Sequence, residues 1–207
     1  MSSRANKVAV SVLAAAASVA LIAVALPGAS ASSCAPSGGL GTDSSTCPAG
    51  KPYVNPLKHG SWLPGRIDMG VDLVPSRRQP VVAIGDAKIL GSDSHSGWPG
   101  GHFIWYRLLD GDHAGNIIYV AEHLTSLVPA GTRVSAGQRI ATALPGSPWT
   151  EWGWGTPSGD PRAAPCYREG METNSGRQMA RFLQSLGAKP TVERQEPGPN
   201  RPSGKLC

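Results

Sequence analysis

From Tyr53 to Gly155 the chain is a succession of short apolar runs, each cut off by a turn signal. This rhythm constrains the fold more than any other feature, because it leaves no room for a long helix and asks for many short strands. "PVVAIGDAKILG" (Pro80–Gly91) reads as strand, Gly85-Asp86 turn and strand. "HFIWYRLLDGD" (His102–Asp112) is β-branched and aromatic and ends in Asp110-Gly111, a hairpin signal. "NIIYVAEHL" (Asn116–Leu124) supplies the return strand. "TRVSAGQRIATAL" (Thr132–Leu144) places a Ser-Ala-Gly turn between two short strands, and "WTEWGWG" (Trp149–Gly155) adds another. The 26 glycines and 19 prolines of the 207 residues fit such a chain.

One segment breaks the pattern. "SGRQMARFLQSLGA" puts Met179, Phe182, Leu183 and Leu186 on a single helical face, with Asn174 or Ser175 as cap and Gly187 as stop. The expected fold is therefore mainly β, an antiparallel sheet over residues 53–165, followed by one helix within 166–188 and a Pro-rich tail over 189–207. Residues 32–52 are rich in Ser, Gly, Pro and Thr and form an irregular arm.

The first 31 residues have a different reading. Arg4 and Lys7 precede an apolar run from Val8 to Leu26, and Ala29-Ser30-Ala31 follows as a small-residue cleavage site. This is a secretory signal, with a retained membrane anchor as the alternative. The mature chain is then extracytoplasmic, and it touches a membrane only if the segment stays. Cys34, Cys47, Cys166 and Cys207 all lie beyond the signal, an even count that reads as two disulfides. Of three possible pairings, Cys34–Cys47 closes a short loop and Cys166–Cys207 ties back the tail. No C-x-x-C is present for a thiolate zinc site. The net charge of +5 falls to +3 without Arg4 and Lys7. No basic cluster alternates with aromatics, which excludes a nucleic-acid protein.

Within "GRIDMGVDL", Asp68 and Asp72 are four apart. On a straight strand they would be about 13 Å apart, too far to share an ion, but Gly70 between them permits a bend. Spacing alone favours two turn residues bonded to nearby backbone N–H groups.

The order of segments adds more. "RIDMGVDL", "QPVVAIGDAKILG", "EHLTSLVPAGTRVSAGQRIA" and "TEWGWG" together resemble the LytM/lysostaphin-like M23 metallopeptidases of bacterial cell walls, over roughly Gly65 to Gly155. Their motifs run H-x-G-x-D, Y-x-H-L, V-x-x-G-x-x-V-x-x-G-x-x-I and H-x-H. The resemblance implies that Asp72 is the aspartate ligand and His123 the catalytic histidine. Asp68 stands where the first zinc histidine belongs. Glu151 and Gly153 stand on the two histidines of H-x-H. The ligand set is thus depleted: zinc is a cofactor only if the site still works, and an Asp68–Asp72–Glu151 set suits a harder cation such as calcium. Asp68, Asp72, His123 and Glu151 are expected to converge in one groove without tightly bound zinc, with at least one carboxyl titrating high. Trp149, Trp152 and Trp154 either stack on glycan or fill the core.

Three functions follow. The first is an exported, catalytically degenerate M23-like domain that binds peptidoglycan or a partner enzyme of the envelope. The second is an active peptidoglycan endopeptidase with an altered metal site. The third is a non-catalytic structural β module. A biotinyl or lipoyl carrier is excluded, because the Ser-Ala-Gly turn holds no lysine.

Overall fold

Strand-forming residues alternate between two environments, and this alternation builds the domain. In the computed structural model, residues 52–93, 101–146, 148–189 and 207 are described. The chain divides between Cys47 and Pro48, and all of these residues belong to the second unit. The signal segment, residues 32–51 of the arm with Cys34 and Cys47, and the tail 190–206 lie outside the described residues.

The elements are β1 (Trp62–Ile67), β2 (Val71–Pro75), β3 (Gln79–Val82), β4 (Ala87–Asp93), β5 (Phe103–Leu108), β6 (Ile117–Ala121), β7 (Leu124–Thr125), β8 (Arg133–Val134), β9 (Arg139–Ala143), β10 (Thr150–Gly155) and α1 (Asn174–Ser185). A seven-stranded sheet has the order β1-β2-β10-β6-β5-β4-β8, and a smaller one the order β3-β9-β7. Every strand pair is antiparallel. Pro64 and Pro80 lie on β1 and β3, both edge strands, where a missing N–H costs no ladder bond.

One face of the large sheet makes the core. Val71 and Leu73, Ile104 and Tyr106, Ile118 and Val120, and Trp152 and Trp154 pack with Met179, Phe182 and Leu183 of α1 and with Val81 and Ile140 of the small sheet. Because successive strand residues point to opposite faces, the intervening positions Asp72, Tyr119, Glu151 and Gly153 share the other face. Phe103, Tyr119 and Ala121 form a separate cluster there, with Trp105 against it.

The mainly β fold with one C-terminal helix is the class expected, but several local features differ. β8 and β9 enter different sheets, so the Ser-Ala-Gly turn is a crossing between sheets rather than a hairpin. β5 and β6 form the hairpin that Asp110-Gly111 signals, joined by the loop 109–116. Thr173, not Asn174 or Ser175, caps α1: its hydroxyl accepts from the Gly176 N–H. Gly187, at φ 80°, follows the C-cap Leu186 and ends the helix as expected. Cys166 and Cys207 form a disulfide with a Cα–Cα separation of 5.8 Å, and the Cys207 carbonyl accepts from the Asn174 N–H. Among the described residues no helix is long and apolar enough to cross a membrane.

Candidate functional site

β1 and β2 form a hairpin in which Ile67 pairs with Val71, leaving Asp68, Met69 and Gly70 as the turn. The turn folds back the chain that would otherwise separate Asp68 from Asp72. Both aspartates are buried, at 1% and 5% exposure. Asp68 is a turn residue whose Oδ1 accepts from the Gly70 N–H at 3.5 Å, as spacing alone favours, whereas Asp72 lies on β2. Gly70 is required by close approach: a Cβ there would stand 2.9 Å from the Glu151 side chain and overlap the Trp152 carbonyl. The start of α1 fixes the other side of the turn. The Asp68 carbonyl accepts from the Thr173 N–H at 3.1 Å and from its hydroxyl at 2.6 Å. The residue that caps the helix thereby positions the first carboxylate.

β10 lies between β2 and β6, and Glu151 pairs directly with Asp72 on one side and Ala121 on the other. Like charges opposite one another on neighbouring strands are unfavourable. Here a third joins them: oxygens of Asp68, Asp72 and Glu151 all lie within 4.8 Å of one another. Protons and a cation relieve the repulsion. Glu151 hydrogen-bonds to Asp68 and accepts from the Tyr119 hydroxyl. Its carboxyl is raised well above the usual range by burial and by both aspartates. Burial pushes Asp72 up to about 7; Asp68 adds to the shift and Arg66 opposes it. Tyr119 is held neutral by burial and by Glu151. The cation is Arg66, whose Nε stands 2.9 Å from Oδ2 of both Asp68 and Asp72. Its Nη2 reaches Oε1 of Glu169 at 2.9 Å. The Tyr167 hydroxyl donates to Oδ2 of Asp68 at 3.0 Å.

Arg66, the three carboxyls, Tyr167 and Glu169 line a cavity of about 370 Å³, walled also by Met69, Pro148 and Trp149. Glu122 also lines it and is pushed up to about 7 by burial and then by Asp72 and Asp68. Three of the four groups expected to converge do so. His123 does not line the cavity. It sits beyond the end of β6 at φ 49°, its Nδ1 buried without a partner, and the preceding Glu122 faces the cavity instead. The tryptophans divide. Trp149, 39% exposed, lines the cavity, whereas Trp152 and Trp154 are core residues and cannot bind a ligand there. Trp152 stands edge-on to Trp62, and Trp154 packs on Phe182.

Sequence reasoning passed over Arg66, Tyr119, Glu122, Tyr167 and Glu169. Three of them had a local signal: Arg66 lies two residues before Asp68, Glu122 directly precedes His123, and Tyr119 stands near the tyrosine position of Y-x-H-L.

Zinc does not fit this donor set. All three converging groups offer oxygen, with neither imidazole nor thiolate among them, whereas zinc sites are built mainly on nitrogen and sulfur. Gly153 contributes no ligand, and the Tyr119 ring fills the space a side chain there would need: a Cβ on Gly153 would overlap the hydroxyl end of the ring. A guanidinium already bridges the two aspartates.

No family model and no curated protein matches the chain. Among solved structures it is similar to the NMR solution structure of lysostaphin, with 19% identity, 75% of this chain and 61% of that chain covered, and a TM-score of 0.46. It is also similar to the antimicrobial peptidase lysostaphin from Staphylococcus simulans, with 22% identity, coverage of 72% and 56%, and a TM-score of 0.39. The chain thus spans less than two thirds of either.

Proposed function

We propose that this is an exported M23-peptidase-like domain of the bacterial cell envelope whose catalytic site has degenerated, and that its groove binds peptidoglycan. One observation carries the reading. Asp68, Asp72 and Glu151, drawn from the first and last motifs of the ordered series, meet at one point, yet the set they form is all-carboxylate. Residues at motif positions that still cluster argue for descent from a working site. The chemistry now in place argues against hydrolysis.

Hydrolysis of an amide needs an activated water and a stabilised oxyanion. His123, the motif's base, does not line the cavity, and Glu151 is engaged by Asp68 and Tyr119. Negative carboxylates facing a developing oxyanion would raise its energy. The same groups suit recognition. A protonated carboxyl donates to amide and sugar oxygens, an ionised one accepts from amide N–H and ammonium groups, and Trp149 offers a ring face at the rim.

The test is co-sedimentation of the purified mature chain with isolated cell walls, with soluble fragments measured in the same tubes. Binding without fragment release supports the reading. Release of cross-link peptides replaces it with the active endopeptidase, and failure to bind leaves a partner protein or a structural role.

A further inference from the structure

We propose that Arg66 is the resident cation of the carboxylate cluster, and that its guanidinium together with the Tyr119 ring excludes a divalent metal from the point where Asp68, Asp72 and Glu151 meet. The inference does not depend on what the groove binds.

The spacing of the oxygens alone would suit a metal. Calcium takes oxygen ligands at 2.3–2.6 Å, so two ligands across one ion stand at most about 5 Å apart. The three carboxylates here fall within that limit. Their buried side chains face one point from three elements: the β1–β2 turn, β2 and β10. What distinguishes the site is that a cation of the chain itself already stands among the carboxyls. The Arg66 Nε lies 2.9 Å from Oδ2 of each aspartate, its N–H donated to Asp72, so the guanidinium stands against the two oxygens that an ion would share. The other end of the guanidinium is held at the rim by Glu169, and the Tyr167 hydroxyl, with one proton to donate, stands 3.0 Å from Asp68 and 3.2 Å from Glu169. Arg66 is therefore fixed from two sides. A divalent ion entering beside it would meet a full positive charge at contact distance, in surroundings that screen poorly.

Tyr119 closes the second approach. It pairs directly with Gly153 across β6 and β10, its ring covers the glycine, and its hydroxyl donates to Glu151. One Glu151 oxygen is thus committed to a phenol, and no donor can project from position 153 while the ring is there.

The experiment uses the full mature chain and the metals alone. Native protein and Arg66→Met are titrated separately with calcium, manganese and zinc chlorides by calorimetry, with circular dichroism to establish folding. The native chain is expected to show no saturable uptake at up to about 1 mM metal, the weak end of the range for extracellular calcium modules. Arg66→Met is expected to bind one equivalent of a hard cation at least about a hundredfold more tightly than the native chain, because the repelling charge is gone. Adding Asp72→Asn to that variant should abolish the uptake, while Arg66→Lys, which keeps a charge, should exclude metal as the native chain does. Stoichiometric metal on the native chain overturns the proposal, as does a folded Arg66→Met that binds none. Should Arg66→Met fold only weakly, refolding with calcium against refolding with chelator decides: recovery in calcium supports the proposal, and equal failure in both overturns it.

Discussion

The burial of Asp72 makes stability depend on pH in a direction opposite to that of an ordinary salt-bridged aspartate. Its carboxyl titrates at about 7 in the folded chain against a reference of 3.8. The folded state therefore keeps a proton that the unfolded chain releases. The stability this confers is complete below the unfolded value, declines as pH rises, and is gone once pH passes the folded value. At about 1.4 kcal/mol per pH unit, the interval is worth about 4 kcal/mol if Asp72 titrates alone, and less where Glu151 shares the proton. Glu122 and Glu151 are raised too and act in the same direction. Asp72→Asn removes the Asp72 share, since an amide cannot ionise yet still accepts from Arg66. Urea unfolding followed by tryptophan fluorescence at about pH 4 and about pH 8 measures it. The variant should match the native chain at the acid end and exceed it by about 2–4 kcal/mol at the alkaline end. A variant less stable than the native chain at about pH 8 would refute the reasoning, because the Arg66–Asp72 ion pair would then outweigh the burial of its charge.

Three further outcomes follow from the same geometry. Gly153→His alone should lower stability by about 1–3 kcal/mol through overlap with Tyr119, and Tyr119→Ala in the same chain should relieve much of that loss, as read by thermal unfolding. Thr173→Ala should cost about 1–2 kcal/mol in chemical denaturation, because the cap of α1 and the bond to the Asp68 carbonyl are lost together. Trp152→Ala should destabilise by about 3–5 kcal/mol, whereas Trp149→Ala should stay within about 0.5 kcal/mol of the native chain and weaken co-sedimentation with cell walls.

What the sequence made legible was whatever depends on local order. Strand runs bounded by turns, the apolar face of α1 and the series of motifs are all written in consecutive residues, and the fold class follows from them. What depends on register across strands was hidden. Trp149, Trp152 and Trp154 look alike in "WTEWGWG", yet Trp152 and Trp154 face the core from β10, inside the sheet, while Trp149, just before the strand, stands at the cavity rim. His123 and Glu122 are neighbours, and which of them faces the cavity depends on the backbone where β6 ends. Gly153 carries the largest consequence. Read along the chain, it is a ligand position left empty. Across the sheet it lies opposite Tyr119, and the absence of a side chain is what lets that ring lie over it and reach Glu151. A histidine at 153 and a tyrosine at 119 cannot both occupy that space. Under the function proposed above, the glycine and the tyrosine are one exchange: a nitrogen donor is given up and a phenol is gained, and the Glu151 carboxyl is bonded to the phenol. The same holds for Asp68 and Arg66. An aspartate in a histidine's place adds a negative charge to a buried site, and a guanidinium from the neighbouring strand answers it. On that reading, the changes at positions 68 and 153 each stand beside a side chain that takes part in the new contacts, Arg66 and Tyr119. This pairing is what would be expected of a site reorganised around hydrogen bonds and an internal ion pair, rather than one that had merely lost its ligands.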